Sequence, residues 1–255
     1  MLASERHQKI LTALEERGTA RTVDLALEFD VTDETIRRDL QILADNHLIS
    51  RVHGGASSLG GVRLLQSYAE RSTIRVGQKR AIAQAALEWI LPGQTYAFDS
   101  STTAFELVRA LPDLDFRVVT NAYAVLDHMV RKENVELICT GGRYHPKTKT
   151  FNGPESVATI RRHNINTAFV SCIGLDSLRG ASEGFEAQAG FKEILAKISG
   201  KVVLLVDSSK LGKRSEYFFA ELQDFSYIIT DEGADPVFVE ALRESGCQVT
   251  VAAVK

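Results

Sequence analysis

Residues 32–46, T-D-E-T-I-R-R-D-L-Q-I-L-A-D-N, place Ile36, Leu40 and Leu43 at i, i+4 and i+7, on one face of a predicted helix. Glu34, Arg38 and Gln41 fall on the opposite face. Thr32 or Asp33 can accept a hydrogen bond from a free N–H of the first turn, which caps the helix just after the apolar Phe29 and Val31. Arginine makes paired hydrogen bonds to guanine and glutamine does the same to adenine. Arg37, Arg38 and Gln41 on a free face therefore suit the reading of DNA base edges. An ordinary amphipathic surface helix would show the same stripe, so the flanking sequence has to decide.

Residues 20–29 carry Val23, Leu25, Ala26 and Phe29, a second short apolar-faced helix that ends a few residues earlier, which makes a helix-turn-helix pair. A first helix over residues 4–17 runs through Ile10, Leu11 and Leu14, and Gly18 closes it in a left-handed position. Residues 48–52 followed by His53, Gly54 and Gly55 read as a short strand turning back on itself, the wing of a winged helix. The glycine pair lets backbone approach a phosphate, and Arg51 and His53 add charge or hydrogen bonds there.

The runs R-H-Q-K-I-L (residues 6–11), T-I-R-R-D-L (35–40) and R-V-H-G-G-A (51–56) occur in this order at compact spacing. With them the first quarter of the chain resembles the DNA-binding domain of the DeoR family of bacterial transcriptional regulators. Thr32 stands where that family usually has serine and keeps the capping hydroxyl. The resemblance implies a winged helix-turn-helix domain over residues 1–57, binding double-stranded operator DNA through Thr32, Thr35, Arg37, Arg38, Gln41, Arg51, His53 and Gly54.

Charge limits how that binding works. Residues 1–56 hold seven Lys and Arg against ten Asp and Glu, a net charge of −3. Affinity gained by counterion release needs local positive charge, so binding rests on a small focused patch doubled by dimerisation, with weak non-specific affinity. The 255 residues contain no apolar run of membrane-spanning length, and the N-terminus reads as a polar helix, not a signal peptide. A soluble cytoplasmic protein is expected, with no membrane partner. Cys139, Cys172 and Cys247 are odd in number, far apart and set in apolar segments, which reads as buried reduced thiols. The six histidines show no ligand spacing, so neither metal nor cofactor is expected.

Ser57, Ser58, Gly60 and Gly61 open a flexible connector, and residues 58–75 read as a linker to a second domain over residues 76–255. There, after a helix over residues 77–90, apolar runs at 95–98, 116–119, 135–139, 168–173, 202–206, 227–229 and 249–252 alternate with amphipathic stretches of helical length. Strands apolar on both faces, separated by helices, predict an α/β domain with a largely parallel sheet. Nearly every strand ends in a polar or glycine cluster: residues 99–103, 120–121, 141–143, 174–176, 207–210 and 230–231. One such cluster is an ordinary turn or cap. Six at the carboxyl ends of parallel strands share one edge and converge on a crevice.

Residues 99–103, D-S-S-T-T, lead directly into a helix, whose N-terminal hydroxyls, amides and dipole suit an anion. Lys210 and Arg143 can add positive charge, while Asp99, Asn121 and Asp176 suit hydroxyl groups. The combination favours a small polyhydroxylated anion such as a sugar phosphate. This half also resembles the DeoR-type sensor domain, similar in fold to phosphosugar isomerases, through D-S-S-T-T, T-N (120–121), G-G-R-Y (141–144), G-L-D (174–176) and D-S-S-K-L-G (207–212). The resemblance implies a phosphorylated sugar or sugar-like effector held by Asp99, Ser100, Ser101, Thr102, Thr103, Thr120, Asn121, Gly142, Arg143, Gly174, Asp176, Glu183 and Lys210. After Asp176 the chain reads S-L-R-G-A-S-E-G-F-E, unlike the threonine-containing segment of many relatives, so Glu183 or Glu186 enters as part of the difference.

The expected whole is a homo-oligomeric, ligand-controlled repressor of a carbohydrate-utilisation operon. The competing class is a sugar-phosphate isomerase-like enzyme with an appended DNA-binding domain, using Glu183 or Asp99 as base and Lys210 as electrophile.

Overall fold

The computed structural model describes residues 3–45, 48–52, 54–57 and 67–254. The chain divides into two compact units, Met1–Gln66 and Ser67–Lys255. The first contains α1 (Ala3–Arg17), β1 (Thr19–Arg21), α2 (Thr22–Phe29), α3 (Asp33–Asp45), β2 (Ser50–Val52) and β3 (Gly55–Ser57). Its strands form an antiparallel sheet in the order β1-β3-β2, which makes the unit a winged helix-turn-helix. Ile10, Leu14, Leu25, Ile36, Leu40, Leu43 and Ala56 form its core. Gly18 ends α1 at φ 74°, and its N–H donates to the Leu14 carbonyl at 3.0 Å.

Two details depart from the sequence pattern. Val23 is 47 % exposed, because the packed stripe of α2 is Thr22, Leu25, Ala26 and Phe29, spaced i, i+3, i+4 and i+7. Gly55 was expected beside a phosphate, but a Cβ there would lie 2.2 Å from the Ala20 carbonyl oxygen, so its pairing with β1 already requires glycine.

One charged residue joins the first unit's packed face. Asp39, only 3 % exposed, sits on the same stripe of α3 as Ile36, Leu40 and Leu43. Its carboxylate accepts from Arg6 Nε at 2.5 Å and Arg6 Nη2 at 3.1 Å, and pairs with His7 Nε2 at 2.8 Å, tying α3 to α1. Burial would raise its pKa, but Arg6 and His7 outweigh that and hold it below the ordinary 3.8.

The second unit contains α4 (Tyr68–Thr73), α5 (Val76–Ala86), β4 (Thr95–Phe98), α6 (Thr102–Ala110), β5 (Phe116–Thr120), α7 (Tyr123–Met129), β6 (Val135–Cys139), β7 (Arg143–His145), β8 (Thr150–Asn152), α8 (Pro154–Ile160) and β9 (Ile165–Val170). It continues with β10 (Gly174–Asp176), β11 (Gly180–Glu183), α9 (Glu186–Ile198), β12 (Ser199–Leu205), β13 (Tyr217–Ala220), β14 (Tyr227–Asp231), α10 (Pro236–Glu244) and β15 (Val249–Ala252). All seven expected strands are present and form one wholly parallel sheet, in the order β15-β14-β12-β9-β4-β5-β6.

Successive residues of each strand enter opposite cores. Tyr96, Phe98, Val203 and Leu205 pack under α5, α6 and α7, while Ala97, Val202 and Leu204 pack under α8, α9 and α10. The antiparallel strands β10, β11 and β13 and the β7–β8 hairpin were not expected, since each strand is only three or four residues long. Among the expected linker residues, Ser67 caps α4 through a capping box with Glu70, and Tyr68 packs on Phe105 with ring centroids 6.4 Å apart, so residues 67–75 fold with the second unit. Residues 58–66 of that linker lie outside the described residues. Cys139, expected to be buried, is exposed because it ends β6, an edge strand of the sheet.

Asp39→Asn should destabilise the first unit by about 2 kcal/mol, the scale of hydrogen bonds to a charged group. Hydrogen exchange of α3 amides in the full chain measures it, and unchanged protection would contradict the role given to Asp39. Because the folded pKa of Asp39 lies below 3.8, its stabilisation is complete above that value and is lost as pH falls through the folded one. Wild type should therefore lose α3 protection more steeply below pH 3.8 than Asp39→Asn does; parallel curves would count against it.

Candidate functional site

On the first unit, Arg37, Arg38 and Gln41 are all exposed on the face of α3 opposite its core stripe. Thr32 Oγ1 accepts the Thr35 N–H at 3.3 Å and shares a 2.9 Å hydrogen bond with Thr35 Oγ1, so the capping hydroxyl is in place. Gln41 Nε2 donates to Asp45 Oδ1 at 2.8 Å, an exposed contact that water or a base edge can replace. Arg51 is exposed on β2, and Gly54 turns the wing at φ 78° while its carbonyl accepts the Thr22 N–H at 2.9 Å. His53 lies outside the described residues. Two arginines and an amide on one helix, with a basic wing beside it, form a surface able to read base edges and hold backbone.

On the second unit the parallel sheet gathers its strand ends at one edge, and buried polar residues line it. Lys192, on α9, is 3 % exposed. Its ammonium lies 3.0 Å from Asp99 Oδ2, donates to the Ser171 carbonyl at 2.6 Å and also donates to Glu183. Burial alone would lower the Lys192 pKa, but Asp99 and Glu183 more than offset it, so the pKa is raised and the lysine stays charged. Asp99 Oδ2 also accepts the Ser171 N–H at 2.9 Å, and Oδ1 accepts the Ser101 N–H at 2.9 Å and its hydroxyl at 2.5 Å. Ser101 Oγ in turn caps α6 by accepting the Ala104 N–H at 3.1 Å. Gln188 Nε2 reaches Ser100 Oγ at 3.0 Å.

Lys210 extends this network. Its ammonium lies 3.3 Å from both Asp207 Oδ2 and Ser171 Oγ. Burial would raise the pKa of Asp207, but Lys210 and the Ser209 hydroxyl hold it below the usual carboxylate value. The group joining the ends of β4, β9, β11 and β12 thus carries Asp99, Ser101, Ser171, Glu183, Lys192, Asp207 and Lys210. Thr102 and Thr103 form the first turn of α6 above it.

Other expected residues do structural work. Thr120 Oγ1 donates to the Phe98 carbonyl at 2.7 Å, and Asn121 Nδ2 to Asn152 Oδ1 at 3.4 Å, while Asn121 Oδ1 has no partner among the described residues. Asp176 accepts the N–H groups of Leu178 and Arg179 at 3.0 and 2.9 Å and pairs with Arg214 at 2.6 Å, which lowers its pKa. A Cβ on Gly142 would lie 2.6 Å from the Asn152 carbonyl oxygen, and one on Gly174 2.5 Å from that of Lys213, so close backbone approach explains both glycines. Arg143 is exposed on the β7–β8 hairpin and, among the described residues, has no contact with the Lys192 group.

Sequence reasoning missed Lys192 and Gln188. Their signal was present: Gln188, Phe191, Lys192 and Leu195 are spaced i, i+3, i+4 and i+7 on the buried stripe of α9, where a lysine needs a counter-charge.

Residues 6–60 match the family model of the DeoR-like helix-turn-helix domain, and residues 74–232 that of the DeoR C terminal sensor domain. The chain is 38 % identical over 250 residues to the uncharacterized HTH-type transcriptional regulator YulB of Bacillus subtilis, covering 98 % of this chain and 97 % of that one. It is 36 % identical over 226 residues to the L-fucose operon activator of Haemophilus influenzae, covering 89 % and 91 %. It is 34 % identical over 250 residues to the HTH-type transcriptional regulator GlpR of Haloferax volcanii, covering 98 % of each. Among solved structures, ribose 5-phosphate isomerase A of Methanocaldococcus jannaschii aligns over 52 % of this chain and 53 % of its own at 16 % identity and a TM-score of 0.40. With both of its units matched and relatives alike over nearly its whole length, the chain belongs to the DeoR family of DNA-binding transcriptional regulators.

Proposed function

We propose that the protein is a cytoplasmic repressor of a carbohydrate-utilisation operon, controlled by a phosphorylated sugar bound at the strand-end rim of its second unit. The observation that carries this reading is the rim itself, where a buried charge network centred on Lys192 and Lys210 meets the N-terminus of α6. Such a network holds hydroxyl and amide donors in fixed places, which suits a small ligand rich in oxygen. The relative named as an L-fucose operon activator supports the carbohydrate part of the proposal. On the DNA side, α3 enters the major groove of operator DNA with Arg37, Arg38 and Gln41, the remaining contacts coming from Thr32, Thr35, Arg51, His53 and Gly54. A homo-oligomer pairs two such helices on repeated half-sites, which compensates for the acidic balance of each head.

Catalysis is the competing reading, and the bonding at the rim speaks against it. An isomerase needs a carboxylate free to take a carbon-bound proton. Both Asp99 oxygens are taken by Ser101, Ser171 and Lys192, and those of Glu183 by Lys192 and the Gly184 N–H. We therefore take the unit as a non-catalytic sensor. Among the described residues, no helix is long and apolar enough to cross a membrane, and no cluster of His, Cys, Asp or Glu could hold a metal.

Replacing Arg38 by Ala should weaken specific operator binding by about tenfold or more, the scale of a paired arginine–guanine contact, in band-shift assays that leave thermal unfolding of the second unit unchanged. Equal discrimination between operator and random DNA would remove the groove-reading assignment. A panel of aldose and ketose phosphates should contain a compound that raises the melting temperature of wild type and fails to do so in Lys210→Ala. No response across a broad panel would sink the phosphate reading, and turnover of any compound would favour the enzyme.

A further inference from the structure

A row of buried polar groups leads away from the rim along the β7–β8 hairpin. Asn121, which follows β5 and is 1 % exposed, donates from Nδ2 to Asn152 Oδ1 at 3.4 Å. Asn152 Nδ2 donates to Thr150 Oγ1 at 2.7 Å, Thr150 Oγ1 lies 2.7 Å from Thr148 Oγ1, and Thr148 Oγ1 lies 3.0 Å from His145 Nδ1. Thr148 and Thr150 are buried, and each hydroxyl has one proton to give. Thr150 accepts from Asn152 and so donates to Thr148, which in turn donates to His145. All four bonds then run the same way, outward from the rim, and bonds aligned like this strengthen one another.

Both ends of the row are exceptional. At the inner end, Asn121 Oδ1 has no partner among the described residues. A buried acceptor without a donor is costly, and a ligand hydroxyl would supply one. At the outer end, the turn over residues 146–149 touches two helices. The Lys147 carbonyl accepts the N–H of Tyr68, the first residue of α4, at 3.3 Å, and the Lys149 ammonium lies 5.4 Å from the Tyr68 ring. On its other side, the Lys147 ammonium and the His145 ring lie 5.8 and 6.1 Å from the ring of Phe185, which precedes α9. Lys149 is held at φ 52°, a left-handed conformation that residues other than glycine seldom adopt. The longest link in the row is the 3.4 Å bond from Asn121 to Asn152, the one beside the open acceptor.

We propose that this row is the regulatory arm of the effector site, an assignment that rests on the sugar-phosphate reading above. A ligand hydroxyl that donates to Asn121 Oδ1 fixes that amide against Asn152, and the bonds through Thr150 and Thr148 then hold the turn on Tyr68. α4 is the first described helix after the connecting residues 58–66, so the ligand is felt where the second unit begins. Asn152, Thr150 and Thr148 are positioning residues that act through Asn121 and do not touch the ligand. A shorter route also reaches α4, because Thr102 Oγ1, in the first turn of α6, donates to the Arg71 carbonyl at 3.4 Å.

Hydrogen exchange of the full chain, with and without a panel of aldose and ketose phosphates, separates the two routes, while calorimetry follows binding in parallel. The phosphate ester that wild type binds should slow exchange of the α4 amides by about tenfold, within the usual range of coupling between sites. Thr148→Val, close in shape but without the hydroxyl, should lose that slowing. It should still bind the ester within about tenfold of wild type, the share that the lost coupling accounts for. Thr148→Ser keeps the hydroxyl and should respond as wild type does. If Thr148→Val does not fold, Thr150→Val decides in its place. A full α4 response in the folded valine variant would route the signal through Thr102 and overturn the arm. So would a wild type that binds ester with no change in α4, or a valine variant that no longer binds ester at all; each leaves the sensor reading standing. Absence of any ester binding by wild type would overturn both.

Discussion

A charged lysine cannot be taken out of water without compensation, and the second unit is arranged around one that has been. Lys192 is held by Asp99 from the end of β4, Glu183 from the end of β11 and the Ser171 carbonyl after β9. Asp99 lies 72 residues from Ser171 in the chain, and it takes the parallel pairing of β4 with β9, together with the antiparallel strand β11, to bring all three groups within reach of one ammonium. The arrangement also works in reverse. Removing either carboxylate would leave buried charge poorly matched, so the network fixes the relative positions of the loops that carry it. Asp99 then passes this order on, because its other oxygen fixes Ser101, and Ser101 caps α6. On the function proposed above, a ligand at the rim meets donors already in place, which lowers the entropy cost of binding it.

Much of this was legible in the sequence, for reasons that can be named. Strands buried on both faces read as apolar runs, and the seven of the main sheet stood out for that reason. Their polar ends stood out because parallel connection leaves loops at one edge. The recognition helix was readable because its two faces differ so sharply, Ile36, Leu40 and Leu43 against Arg37, Arg38 and Gln41.

What escaped was chiefly charge on the wrong face. Asp39, Lys79 and Lys192 each occupy a core stripe, at positions where only a partner elsewhere in the chain makes burial tolerable. Periodicity reveals that such a residue is buried but not who meets it, since Arg6 and Asp39, or Lys192 and Asp99, are joined by folding alone. The β7–β8 hairpin and the sheet of β10, β11 and β13 escaped for a different reason, being strands of three or four residues with mixed exposure.

The same physics bears on regulation. A ligand alters DNA binding only through a difference in its affinity for two states of the protein. On the function proposed above, the ligand acts from the strand-end rim of the second unit, where Lys192 and Lys210 meet the start of α6. The decisive measurement is the operator dissociation constant of the full chain, followed by fluorescence anisotropy as sugar phosphates and their parent sugars are titrated in. A phosphorylated sugar should shift that constant by about tenfold, within the usual range of coupling between sites, and its unphosphorylated parent should leave it alone. An operator affinity indifferent to every phosphorylated sugar, at concentrations that saturate the rim, would contradict it.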